Sequence, residues 1–177
     1  IANSTWYHVW LIQRSDTKVV DVLVSTSATS PTMPTNYDRK RRIGAMKTNG
    51  SAQWTSFSQD GDEFLWSTQP NDASGVTPSN TSAASVTLTV PPGVKVDARI
   101  GIGLSSSANT AILYVTSLDQ SDQTGMVESN VPSGAYAIIE KMVRTNTSAQ
   151  IRVRANTTSC QYFVSVRGWR DPRGRNG

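Results

Sequence analysis

Short runs of β-branched and aromatic residues, each closed by a turn-former, recur along all 177 residues of the chain. Ser85-Val-Thr-Leu-Thr-Val90 alternates strictly, so one face of it is expected to be buried. Gln161 to Trp169 places Tyr162, Val164 and Val166 on one face and Phe163, Ser165 and Arg167 on the other. No stretch holds an apolar period of 3.6. The best helical window, Ala137 to Arg144, has an Ile-Ile pair beside Tyr136 and fits a strand equally well. The pattern predicts an all-β chain of about eleven strands, folded as an antiparallel β-sandwich with a jelly roll as the specific variant. No repeat of fixed period is expected. Residues 1–169 are read as a single sandwich domain and 170–177 as a basic flexible tail.

Composition agrees with a turn-rich β protein. Hydrophobic residues make up 37% and charged residues 17%, while Ser and Thr supply about a quarter. Disorder is excluded by five Trp, five Tyr and three Phe set among Val/Ile/Leu runs, at a net charge of only +4. The single cysteine, Cys160, allows no intramolecular disulfide and is read as a buried small apolar residue. Stability must then come from burial or from oligomerisation. No apolar run reaches the ~20 residues that span a bilayer, so no membrane insertion is expected. Ile1 is not an initiator residue, as expected of a processed product or a piece of something longer.

The densest segment is Tyr37 to Trp66. Arg42–Thr48 and Gln53–Ser58 read as a hairpin closed by a type I′ turn at Asn49-Gly50, with a further turn at Asp60-Gly61. Ser25–Asn36, Gln69–Ser85, Ser105–Asn109 and Asp119–Gly125 read as loops, where recognition would sit on a rigid sandwich.

Arg39, Lys40 and Arg41 are the candidate binding patch, suited to an anionic surface polymer. The competing reading pairs the run Arg39–Arg42 with Asp38, Asp60, Asp62 or Glu63. Four cations in one place do not make the stripe a nucleic acid needs, so no nucleic-acid partner is expected. Trp54, at a tight hairpin, is the candidate exposed aromatic, whereas Trp10, Trp66 and Trp169 are expected in the core. His8, the only histidine, is read as a structural residue whose ring makes a hydrogen bond. Neither Asp60/Asp62/Glu63 nor Asp119/Asp122 has the spacing of a cation loop, and no GxSxG elbow is present. No catalytic residue, metal site or cofactor is expected. The sequons at Asn3, Asn49, Asn80, Asn146 and Asn156 are common by chance in so Ser/Thr-rich a chain.

The elements Trp6-Tyr-His-Val, Val20-Asp21-Val, Ser25-Thr-Ser27, Pro34, Tyr37, Arg41-Arg42-Ile43-Gly44, Thr48-Asn49-Gly50 and Gln59-Asp-Gly-Asp62 stand ahead of Phe64 and Trp66. Over about the first 70 residues they resemble a domain of tail-fibre and related structural proteins of tailed bacteriophages and prophages. The resemblance implies a virion component, exposed on the extracellular particle, homotrimeric, contacting other virion proteins and engaged in adhesion or assembly. It carries over no catalytic residue.

Three functions follow as expectations. The first is a non-enzymatic tail-fibre or receptor-binding domain that adheres to a host surface glycan or receptor. The second is a capsid decoration or head-fibre protein bound to the major capsid protein. The third is a fragment of a polysaccharide depolymerase.

Overall fold

The computed structural model describes residues 1–124 and 129–173. Among them are thirteen β-strands in three antiparallel sheets. β1 (Trp6–Gln13), β2 (Val20–Ser25) and β3 (Arg39–Lys47) form a three-stranded sheet of order β2-β1-β3. β4 (Phe57–Asp60), β5 (Glu63–Trp66), β6 (Asn71–Val76), β8 (Asp97–Ser106), β11 (Tyr136–Arg144) and β13 (Cys160–Arg170) form the largest sheet. β7 (Ala84–Thr87), β9 (Ala111–Thr116), β10 (Ser129–Val131) and β12 (Gln150–Ala155) form the sheet β10-β9-β12-β7. β8 pairs with β13 and β9 with β12, a nested winding of jelly-roll type within the second half of the chain.

The alternation in the sequence is what packs these layers. Ala98, Ile100, Ile102 and Leu104 of β8 and Val164 and Val166 of β13 are fully buried. They meet Leu113 and Val115 of β9 and Ile151 and Val153 of β12 in one core. The predicted faces of the last strand are correct: Tyr162, Val164 and Val166 point inward. A second part of the core is aromatic. Phe64 stacks on Trp169 at 5.0 Å, Trp66 lies 5.0 Å from the same ring, and Trp6 meets it edge-on at 5.7 Å. Gly168 makes that region possible, because a Cβ there would lie 2.0 Å from the Phe64 carbonyl oxygen.

Four expectations change. The segment Gln69–Ser85, read as a loop, contains β6 and the start of β7. Asn71-Asp-Ala-Ser-Gly-Val76 has poor strand propensity, but β13 supplies its ladder, and the Asp72 carboxylate accepts both the Thr89 amide and hydroxyl at 2.5 and 2.7 Å. The expected strand Gln53–Ser58 is only a Thr48–Trp54 bridge followed by β4, and β4 pairs with β5 instead. The turn at Asn49-Gly50 is not type I′, because the left-handed residue is Ala52, at φ 57°. The tail also begins later than expected. Arg170 still belongs to β13, Asp171 is buried, and Arg173 bonds Asp62 at 2.7 Å. Residues 174–177 lie outside the described residues.

That same turn exposes a repeat that periodicity had not suggested. Lys47-Thr-Asn-Gly-Ser-Ala-Gln53 and Arg144-Thr-Asn-Thr-Ser-Ala-Gln150 each close a nine-residue strand, β3 or β11. Asn49 Oδ1 accepts the amides of Ser51 and Gln53 at 2.9 and 3.0 Å, and Asn146 Oδ1 accepts those of Ser148 and Gln150 at 2.9 and 2.8 Å. Ala52 and Ala149 share the left-handed conformation, at φ 57° and 59°. Thr48 and Thr145 are both fully buried, and their amides donate to Thr5 and Val96, one residue before β1 and β8. Two related strand–turn units therefore sit in one chain.

Candidate functional site

The β1–β3 register places the candidate basic residues. Arg39, Lys40 and Arg41 begin β3 opposite Gln13, Ile12 and Leu11. Alternation sends Arg39 and Arg41 to the face shared with Leu11, Val20 and Val22, and Lys40 to the other. All three are exposed, and among the described residues none makes an ion pair. The Lys40 ammonium lies 5.6 Å from the centre of the Trp10 ring, within cation–π range. With Leu11, Ile12, Gln13 and Val20 the three cations line a shallow depression of about 240 Å³.

Arg42, one residue on, has the opposite fate. It is 6% exposed and clasps Asp171 through two nitrogens at 3.0 and 2.5 Å. Its Nε donates to His8 Nδ1 at 3.1 Å, and the far side of the imidazole hydrogen-bonds the Pro92 carbonyl. His8 is therefore held neutral with its proton on Nε2. Burial, and then the Arg42 charge, lower its pKa to about 4. Burial pushes the Asp171 carboxyl up and the Arg42 guanidinium down, with their mutual attraction opposing both shifts. The expected partners Asp38, Asp60, Asp62 and Glu63 do not neutralise this run: Asp38 caps Ser15, and Asp62 binds Arg173. The partner of Arg42 lies far away in the sequence, in the segment read as tail, so no local signal could have found it.

Trp54 is 39% exposed, with its ring edge-on to Tyr7 at 5.7 Å. Trp10, Trp66 and Trp169 are buried, as expected. Cys160 is buried too. Burial raises its pKa, and its thiol donates to the Thr157 carbonyl at 3.2 Å. Asp119 and Asp122 are tied to Lys95 and Arg154 at 2.6 and 2.5 Å. No group of three or more His, Cys, Asp or Glu able to hold a metal ion occurs among the described residues. Several sequon asparagines work as turn residues: Asn80 Oδ1 accepts the Ser82 amide, and Asn156 bridges Ile112 and Thr110.

Sequence reasoning missed a larger cavity of about 740 Å³ between β11 and the loop after β9. Asp119, Gln120, Gln123, Lys141 and Arg144 line it beside Met142 and Val143. Only the expected loop at Asp119–Gly125 touched on it.

No protein-family model matches the chain, and no curated protein matches it. Among solved structures, the chain is similar to one described as the structure of infectious bursal disease virus Gx strain. The similarity has a TM-score of 0.34 at 9% identity, covering 100% of this chain and 53% of that one, so this chain spans about half of its length.

Proposed function

We propose that the chain is a non-enzymatic bacteriophage virion structural protein: a homotrimeric tail-fibre or receptor-binding domain that adheres to the host cell surface. The resemblance of its first 70 residues suggests the setting. The observation that carries the adhesive role is the state of its cations. Arg14, Arg99, Arg144, Arg154 and Arg173 are each paired with a carboxylate. Arg39, Lys40 and Arg41 are exposed and unpaired beside an apolar depression. Exposed cations held in no salt bridge attract anionic polymer without the cost of breaking an ion pair. A phosphate- or carboxylate-bearing surface glycan fits such a margin, with Leu11 and Val20 meeting its apolar faces.

The test is binding of the chain to host cells and to purified lipopolysaccharide across a salt series. Arg39→Ser combined with Lys40→Ser weakens binding and flattens its salt dependence. Unchanged binding at low salt overturns the assignment of the patch. A particle image that puts the chain on the capsid shell replaces adhesion with capsid decoration. Release of reducing ends from host polysaccharide, abolished by changing one carboxylate, replaces it with depolymerisation.

A further inference from the structure

The two Thr-Asn-x-Ser-Ala-Gln turns differ within that run at one position, and the position bears on their chemistry. Gly50 follows Asn49, whereas Thr147 follows Asn146. In each turn the asparagine side chain accepts the amide two residues on, as an Asx turn does. The ring that this bond closes runs through Cγ and the next backbone nitrogen. The fold therefore holds the side-chain carbonyl carbon of Asn49 beside the Gly50 nitrogen.

Four backbone donors converge on the two carbonyls of Asn49. Its Oδ1 accepts the Ser51 and Gln53 amides at 2.9 and 3.0 Å. Its backbone oxygen accepts the Ser4 and Ala52 amides at 2.8 and 3.1 Å. Negative charge developing on either oxygen meets donors already in place. The Gly50 amide donates to nothing among the described residues. Asn49 and Gly50 are both exposed, and a Cβ on Gly50 would meet nothing within 4 Å. Water reaches the pair, and the glycine leaves its peptide free to turn. Asn146 is the opposite case. It is half-buried, and among the described residues its backbone oxygen accepts the Ala149 amide alone. The Gly93 amide pins the Thr147 carbonyl at 2.7 Å, and the branched Thr147 side chain crowds the nitrogen.

We propose that Asn49-Gly50 is a self-modifying site, at which the folded chain converts the asparagine to an aspartyl or isoaspartyl residue. The Gly50 nitrogen gives its proton to solvent base and bonds to Asn49 Cγ. The donors on the backbone oxygen hold the charge of the deprotonated peptide, and those on Oδ1 hold the charge of the tetrahedral adduct. The Cγ–Nδ2 bond then breaks, Nδ2 takes a proton from water, and ammonia leaves a cyclic succinimide. Water opens the ring at either carbonyl, and no other reagent is needed. Aspartate keeps an acceptor for Ser51 and Gln53. Isoaspartate draws that acceptor into the main chain and lengthens the turn by a methylene, under the Thr48–Trp54 bridge.

Peptide mapping of the whole chain by mass spectrometry, after days at mildly alkaline pH, tests this. No host ligand is involved, so the outcome is independent of adhesion. Asn49 should show the mass gain of an amide-to-acid exchange, with isoaspartate confirmed by enzymatic methylation, and Asn146 should show none. The other Asn-Gly pair of the sequence, 176–177, lies outside the described residues and falls in a separate peptide. Gly50→Thr copies the second turn and should silence Asn49 with the circular dichroism spectrum unchanged. Thr147→Gly should start conversion at Asn146. A synthetic peptide of residues 45–55 should convert more slowly than the folded chain. An unmodified Asn49, or equal conversion at Asn146, overturns the proposal. So does a peptide that converts as fast as the chain, since the turn then activates nothing.

Discussion

The same strand–turn unit occurs twice, and the two copies end in different surroundings. Around Asn146 the unit leads into β12, whose Ile151 and Val153 close a two-layer core over β8. Around Asn49 it leads into Trp54, which lies half-uncovered against Tyr7. The turns share their hydrogen bonds and their left-handed alanines, so local chemistry does not distinguish them. What differs is the number of apolar layers within reach. A strand with a sheet on one face only must leave the other to water or to another molecule. The comparison also shows how the halves are joined. The aromatic cluster around Trp169 and the Arg42–Asp171–His8 clasp tie the first sheet to the end of β13.

The clasp should give the largest effect. Asp171→Asn leaves the Arg42 guanidinium buried without its anion, and unfolding in denaturant should show a loss of about 3–5 kcal/mol. A loss below about 1 kcal/mol would mean that the halves are held together by the aromatics alone. The equivalent positions Ile151 and Trp54 come next. Ile151→Ala should cost about 2–5 kcal/mol through a core cavity. Trp54→Ala should cost only about 1 kcal/mol, the worth of its contact with Tyr7, when measured at concentrations too low for association. Equal losses at the two sites would break the comparison.

His8 should make the clasp sensitive to acid. Its folded pKa, about 4, lies below the 6.5 of a free histidine, so folding favours the neutral ring. The stabilisation is complete above pH 6.5 and is lost as pH falls from there through 4. By linkage about 2 kcal/mol should be gone at pH 5. His8→Gln keeps a hydrogen-bonding side chain without a titratable ring and should flatten the stability profile between pH 6.5 and 5. A variant that tracks the wild type over that range would place the acid sensitivity elsewhere.

The smallest effect concerns the left-handed alanines. Ala52→Gly should stabilise by about 0.5 kcal/mol, since relief of the left-handed penalty exceeds the added freedom of the unfolded chain. Ala149→Gly should gain less, because Ala149 is buried and loses a packed methyl group. Thermal melts of both variants rank them.

Much of this fold was legible in the chain. The period-two alternation of Tyr162, Val164 and Val166, the buried tryptophans and the exposed Trp54 are consequences of local pattern and hairpin geometry. So is the exposure of Arg39 to Arg41 at the start of a strand. Two units related by Thr-Asn-x-Ser-Ala-Gln were also written there, but only their matching hydrogen bonds made the likeness meaningful.

Other features had no local signal. β6 exists because β13 offers an open ladder and Asp72 reaches Thr89, not because Asn71–Val76 prefers to be extended. Arg42 is buried while Arg41 is not because Asp171, far along the chain, compensates for the loss of water around its charge. Which half of the chain has a covered sheet depends on how many layers the whole chain brings over it. Backbone preference and side-chain alternation act over a few residues, so sequence alone determines strands and their apolar faces. Desolvation and layer packing act between segments distant in sequence, so only the tertiary structure decides which of those faces finds a partner.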